Sequence, residues 1–133
     1  MPDSSFAYDA VPYPSAVFAQ THPDRLATIG RLLGMSPAGV PEARVLEIGC
    51  GDGSNLLGMA CELPRAQFVG IDLSGQAIDR GQRSISGLGV TNLALYHSGV
   101  GDIPADLGRF DFILAHGLYS WVPAEVRDRK SVV

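Results

Sequence analysis

Cysteine is scarce in this chain: Cys50 and Cys61 are the only two among 133 residues. That is too few for a disulfide framework, and a reducing cytoplasm is the expected setting. Charge of one sign is also lacking. Ten Lys and Arg stand against fourteen Asp and Glu, for a net charge of −4, and no basic run occurs. A nucleic-acid-binding surface therefore has no electrostatic support. No apolar stretch approaches the roughly 20 residues that span a bilayer, so no membrane partner is expected. Met1-Pro2-Asp3-Ser4-Ser5 has neither the positive start nor the apolar core of a signal peptide. His22, His97 and His116 form no ligand spacing with cysteines or acids, so no metal is expected. What remains, 46% hydrophobic and 18% charged, describes one globular domain with a core.

Glycine, by contrast, is abundant, and its placement is informative. In Val45-Leu46-Glu47-Ile48-Gly49-Cys50-Gly51-Asp52-Gly53-Ser54-Asn55-Leu56, three glycines alternate with other residues, two positions after an acid. The stretch reads as a short buried strand, a glycine-rich turn and a helix. Glycine permits positive φ and close approach of backbone to a ligand. Ser54 or Asp52 can cap the helix, whose free N–H groups face the same ligand.

Residues 1–23 carry four prolines and the aromatics Phe6, Tyr8, Tyr13 and Phe18. They read as an arm packing its rings on the domain, or as a lid over a cationic ligand. Thr21-His22-Pro23-Asp24 starts a helix, Leu26, Ile29, Leu32 and Leu33 repeat at helical spacing, and Gly34 ends it. From Arg44, strands alternate with helices. Strands are expected at Val45–Ile48, Gln67–Asp72, Leu93–His97 and Phe110–Ala115, with helices at Asn55–Leu63 and from Ser74 to about Ser86. The expected fold is a three-layer α/β, Rossmann-like parallel sheet of about four strands, preceded by an arm and a helix. Its ligand would lie at the C-terminal ends of the strands.

Two cofactors compete for the loop. A dinucleotide fingerprint needs G-x-G-x-x-G, but here the third glycine comes one residue early and Ser54 occupies its place. Glu47 and Asp52 would also repel a pyrophosphate. S-adenosylmethionine offers a sulfonium and an ammonium, which acids favour, and a carboxylate suited to backbone N–H groups. Asp72, at the end of the second strand, can accept both ribose hydroxyls. Its bland alternative is a solvated strand-end acid. Asp102 suits the adenine amino group, or is a turn residue.

These residues resemble class I (Rossmann-like) S-adenosylmethionine-dependent methyltransferases. Glu47-x-Gly49-x-Gly51-x-Gly53 is similar to their first motif, and Asp72 to their second. A closer resemblance, to bacterial methyltransferases with a downstream methyltransferase regulatory domain, rests on three further stretches. These are Tyr8-Asp9-x-Val11-Pro12-Tyr13-Pro14-Ser15, Thr21-His22-Pro23-x-Arg25-Leu26 and Ala115-His116-Gly117-x-Tyr119-Ser120-Trp121-Val122-Pro123. The resemblance implies methyl transfer to an unknown acceptor. It places Gly49 and Gly51 along the methionine, Glu47 as its orienter, Asp72 on the ribose and Asp102 at the adenine. The implied cofactor set also takes in Tyr8, Tyr13, Cys50, Gly53, Leu73, Ile103 and Ala115, and favours the lid over the packing arm.

The cofactor supplies the electrophile, so the protein mainly positions it, and a base is needed only if the acceptor must lose a proton. His116 is the candidate base. His97 is expected to be structural, and both cysteines to be packing residues.

The family's sheet has seven strands, ordered 3-2-1-4-5-7-6. Four are readable here, so the resemblance implies an N-terminal fragment and an exposed apolar edge at Phe112-Ile113-Leu114. The expected division is an arm and helix over 1–43, a partial cofactor domain over 44–127 and a non-native tail over 128–133. Asp128-Arg129-Lys130-Ser131-Val132-Val133 matches the translation of a common sequencing adapter. Two alternatives stand beside methyl transfer: a fragment that binds the cofactor without catalysis, and a nicotinamide-dependent oxidoreductase.

Overall fold

The computed structural model describes residues 9–10 and 14–116. Expectations for Tyr8, Tyr13, the Gly117–Pro123 motif and the tail lie outside the described residues.

Four strands form: β1 (Arg44–Ile48), β2 (Gln67–Asp72), β3 (Leu93–His97) and β4 (Phe112–Leu114). All pair in parallel, in the order β3-β2-β1-β4. They are accompanied, among the described residues, by the helices α1 (Pro23–Leu32), α2 (Ser54–Glu62) and α3 (Gly75–Leu88). The chain winds outward from β1 through β2 to β3, then returns to β1's other side as β4. That reversal opens a crevice beyond the C-terminal end of β1, where such sheets take their ligands.

Side chains alternate across the strands with period two, and both faces are apolar. On one face Val45, Phe68, Leu93, Leu95, Phe112 and Leu114 pack with Leu56, Met59 and Ala60 of α2, Ile78 of α3 and Ala27 of α1. On the other, Leu46, Ile48, Val69 and Ile71 meet Val100, Ile103, Leu107 and Phe110. Among the described residues, then, the helices cover one face. Two 3-10 turns, Val100–Asp102 and Ala105–Leu107, help cover the other.

The boundaries of β1, β2 and β3 lie within one residue of expectation. β4 is shorter than the expected Phe110–Ala115, for an identifiable reason. The Asp111 carboxylate accepts from Arg44 N (2.8 Å) while Asp111 N donates to Arg44 O (2.8 Å). The Arg44 guanidinium donates to Arg109 O and Leu107 O and lies 4.9 Å from the Phe110 ring centre. Residues 109–111 thus form a clamp on Arg44 ahead of the ladder. The apolar edge expected at β4 reduces to Ile113, which is 40% exposed, because Phe112 and Leu114 point into the core.

α1 begins at Pro23, with the His22 ring accepting from Asp24 N (3.2 Å), and the glycine expected to end it, Gly34, has φ +82°. Its buried side, however, is Pro23, Ala27 and Gly30. Leu26 packs against the core, but Leu32 and Leu33 of the apolar repeat are 82% and 76% exposed. α3 starts on Ser74, whose hydroxyl accepts from Ala77 N (3.2 Å), and ends at Gly89.

Candidate functional site

The loop between β1 and α2 takes its shape from three left-handed glycines, with φ of +73° at Gly49, +58° at Gly51 and +77° at Gly53. A side chain at these positions would strain the backbone. Gly49 N and Cys50 N both donate to Ile71 O (2.8 and 3.0 Å), which holds the loop's start on β2. Asp72 then ties two turns together. One oxygen accepts from Gly51 N and the other from Ser74 N, each at 2.8 Å.

The N-cap of α2 is Gly53, which makes no side-chain cap hydrogen bond, so neither of the expected residues, Ser54 and Asp52, is the cap. Asp52, one residue earlier, braces the first helical residue. Its Oδ1 accepts from Ser54 N (3.1 Å) and Ser54 Oγ (2.6 Å), and its Oδ2 accepts from Ser15 Oγ. Ser54 is instead the first residue of the helix. Burial opposes the Asp52 charge, but the hydrogen bonds from Ser15 and Ser54 and the charge of Arg80 outweigh it. The carboxyl is held below its usual range.

Glu47 sits at the penultimate position of β1, paired in register with Gly70 on one side and Leu114 on the other. It is only 4% exposed. Its Oε1 accepts from Asn55 Nδ2 (3.1 Å), while Oε2 is buried and has no hydrogen-bond partner among the described residues. Burial raises its pKa to about 7, the Asn55 bond lowers it and the Asp72 charge raises it again. Folding therefore raises the proton affinity of Glu47. The stability this provides is complete below about pH 4.5 and is lost as pH rises through about 7.

The other expected site residues lie in the loop, after β2, near the Val100–Asp102 turn and after β4. Cys50 is buried, and burial together with the charges of Asp72, Glu47 and Asp52 pushes its thiol up. It is a packing residue, with no thiolate available for nucleophilic work. Leu73 and Asp102 come together beside Gly99: a Cβ there would lie 3.3 Å from Leu73 Cδ2 and 3.6 Å from Asp102 Oδ2. Asp102 is exposed at the end of a 3-10 turn, and Ile103 is half-buried against the sheet's second face. Ala115 and His116 follow β4 and are exposed. The His116 ring stacks on Phe18 at 3.9 Å between centres, and its Nε2 is 3.2 Å from Gln20 Nε2.

The remaining histidines have structural partners. His22 caps α1 and reaches Glu62 of α2 (3.1 Å), and His97 Nε2 contacts Leu73 O (2.9 Å). Among the described residues no group of His, Cys, Asp and Glu could hold a metal ion.

Sequence reasoning missed Asn55, and it named Thr21 and Ser15 only within family-like stretches and Phe18 only among the aromatics of the arm. Asn55 is 3% exposed and joins Glu47 to the segment before α1. The available signal was an amide on the otherwise apolar side of α2, next to Leu56, Met59 and Ala60.

A parallel sheet whose first strand ends in a left-handed glycine loop at the switch point, with an acid closing the next strand, defines a Rossmann-like cofactor-binding domain. The particular family follows from comparison. Residues 45–130 match the methyltransferase domain family, and the chain belongs to it. An uncharacterized protein of Rickettsia prowazekii (strain Madrid E) is 42% identical over 126 residues, covering 95% of this chain and 50% of that protein. PKMT2 from Rickettsia typhi, solved in complex with AdoHcy, superposes with a TM-score of 0.85 at 43% identity, over 90% of this chain and 23% of that one. The plantazolicin methyltransferase BpumL, in complex with SAH, shares the fold with a TM-score of 0.58 at 23% identity, over 77% of this chain and 37% of its own. The chain thus spans half or less of the length of each of these three relatives.

Proposed function

We propose that this chain binds S-adenosylmethionine and serves the transfer of its methyl group to an acceptor. The observation that carries the reading is the buried Oε2 of Glu47 beside the glycine loop, which has no partner among the described residues. A buried carboxylate oxygen without a donor calls for a cationic partner, and the methionine ammonium is one. A second feature supports the fit. A Cβ on Gly51 would meet nothing within 4 Å, so there is open space beside the left-handed loop.

In this reading Glu47 orients the ammonium, Gly49, Cys50, Gly51 and Gly53 line the methionine with backbone, and Asp72 accepts the ribose hydroxyls. Leu73, Asp102 and Ile103 border the adenine. Asp72 already accepts one N–H on each oxygen, which fixes its carboxylate and leaves lone pairs for the ribose. Ala115 borders the site from β4, and His116 faces the acceptor, where it removes a proton if the acceptor carries one. When bound, the cofactor supplies a methyl group on a sulfonium, and the residues contribute position and exclusion of water. Two free cysteines among the described residues agree with a reducing, cytoplasmic setting, and no described helix is long and apolar enough to cross a membrane.

The test is calorimetric titration with S-adenosylhomocysteine, which keeps the ammonium, across pH. Glu47 must be ionised to receive the ammonium, and in the free chain it titrates near pH 7. Affinity is therefore expected to rise about tenfold from pH 6 to pH 8, with protons released on binding. Glu47→Gln should bind more weakly, without that dependence. Equal, pH-independent affinity in both proteins would remove Glu47 from the site.

A further inference from the structure

Asn55 does more than fill the core beside the glycine loop. One Nδ2 hydrogen goes to Glu47 Oε1 (3.1 Å) and the other to Thr21 Oγ1 (3.0 Å), while Oδ1 accepts from Phe18 N (2.8 Å). Three independent bonds hold one amide, and the backbone N–H of Phe18 dictates which end is oxygen. Thr21 completes the arrangement, donating its hydroxyl to Phe18 O (2.8 Å). Beyond it, the Phe18 ring stacks on His116 at the end of β4. A single buried side chain therefore connects the acid at the end of β1 to the histidine after β4.

We infer that Asn55 is the positioning residue of the site: it fixes the Glu47 carboxylate with Oε2 left free for a ligand cation, and holds the Phe18–Thr21 segment that places His116. The inference rests on the cofactor reading for the identity of that cation. Asn55's action on Glu47 itself does not depend on it.

The geometry gives this action a direction. An N–H directed at a carboxylate oxygen favours the ionised form, and so works against the burial of Glu47. Among the described residues, the ionisable groups acting with Glu47 are Asp72 at the end of β2 and Cys50 in the loop. One is an acid and the other a thiol pushed upward, so neither favours the Glu47 charge. From the N-terminal segment Thr21 and the Phe18 backbone are neutral. Asn55 is thus the group that lets Glu47 ionise near neutral pH.

The test reads the Glu47 carboxyl directly, by carbon NMR against pH, in the full chain without ligand. Asn55→Ala is expected to move the titration midpoint up by about one unit, and S-adenosylhomocysteine affinity at pH 7 to fall about fivefold with it. In Glu47→Gln, adding Asn55→Ala should cost little further affinity, because the two act as one unit. Thr21→Val, which leaves Asn55 in place with one partner fewer, should shift the midpoint in the same direction by less. It decides the matter if Asn55→Ala does not fold. An unchanged midpoint in the folded variants, or a loss of affinity fully additive with Glu47→Gln, overturns the inference. Absence of S-adenosylhomocysteine binding by the unsubstituted chain would count against the cofactor reading alone, since the ligand-free titration still reports on Asn55.

Discussion

Gly81→Ala is expected to destabilise the fold by about 3 kcal/mol, the upper part of the usual range for overpacking. The cause is the contact between α3 and the glycine loop. A Cβ on Gly81 would lie 2.3 Å from Asp52 O and 2.4 Å from Leu95 Cδ1. The first neighbour is backbone and cannot rotate away, so α3 or the loop must shift. Alanine's better helix propensity returns at most about 1 kcal/mol. The same substitution six residues on provides the control. Gly87 lies exposed in α3, and a Cβ there would meet nothing within 4 Å. Gly87→Ala should therefore stabilise by up to about 1 kcal/mol. Urea denaturation of the two variants should give opposite signs. Gly81→Ala should also weaken ligand binding, because Asp52 and the first turn of α2 move with the loop. Equal shifts in both variants would contradict the packing described here.

The second large effect belongs to Asp72. Asp72→Ala is expected to weaken S-adenosylhomocysteine binding about 100-fold, the loss of two charge-assisted hydrogen bonds to a ribose. The substitution also strands Gly51 N and Ser74 N, both of which donate to this carboxylate. Some loss of stability should follow. The two contributions separate with a ligand lacking the ribose: methionine affinity should fall much less than that of S-adenosylhomocysteine. A similar loss for both would mean that Asp72 serves the loop and not the ribose.

Much of this arrangement was legible in the residues because its determinants are local. Apolar runs such as Phe68-Val69-Gly70-Ile71 and Leu93-Ala94-Leu95 announce strands buried on both faces, and the intervening helices make the sheet parallel. Glycines at 49, 51 and 53 need positive φ, and all three have it. What escaped was whatever depends on contacts distant in sequence. Asn55 meets Thr21 across 34 residues and Phe18 across 37, and no periodicity encodes such a meeting. The shortening of β4 has the same origin, since Arg44 meets residues 107–111 only once the sheet has formed. In α1 the apolar repeat located the helix but not its buried side. The small residues Ala27 and Gly30 pack inward while Leu32 and Leu33 remain exposed.

In the proposed function the loop and its two acids select a sulfonium cofactor over a dinucleotide. Parallel calorimetric titrations of one preparation, with S-adenosylhomocysteine and with NAD, test it most directly. Saturable, one-site binding of S-adenosylhomocysteine and no heat with NAD are expected. Saturable NAD binding with no response to S-adenosylhomocysteine would contradict it.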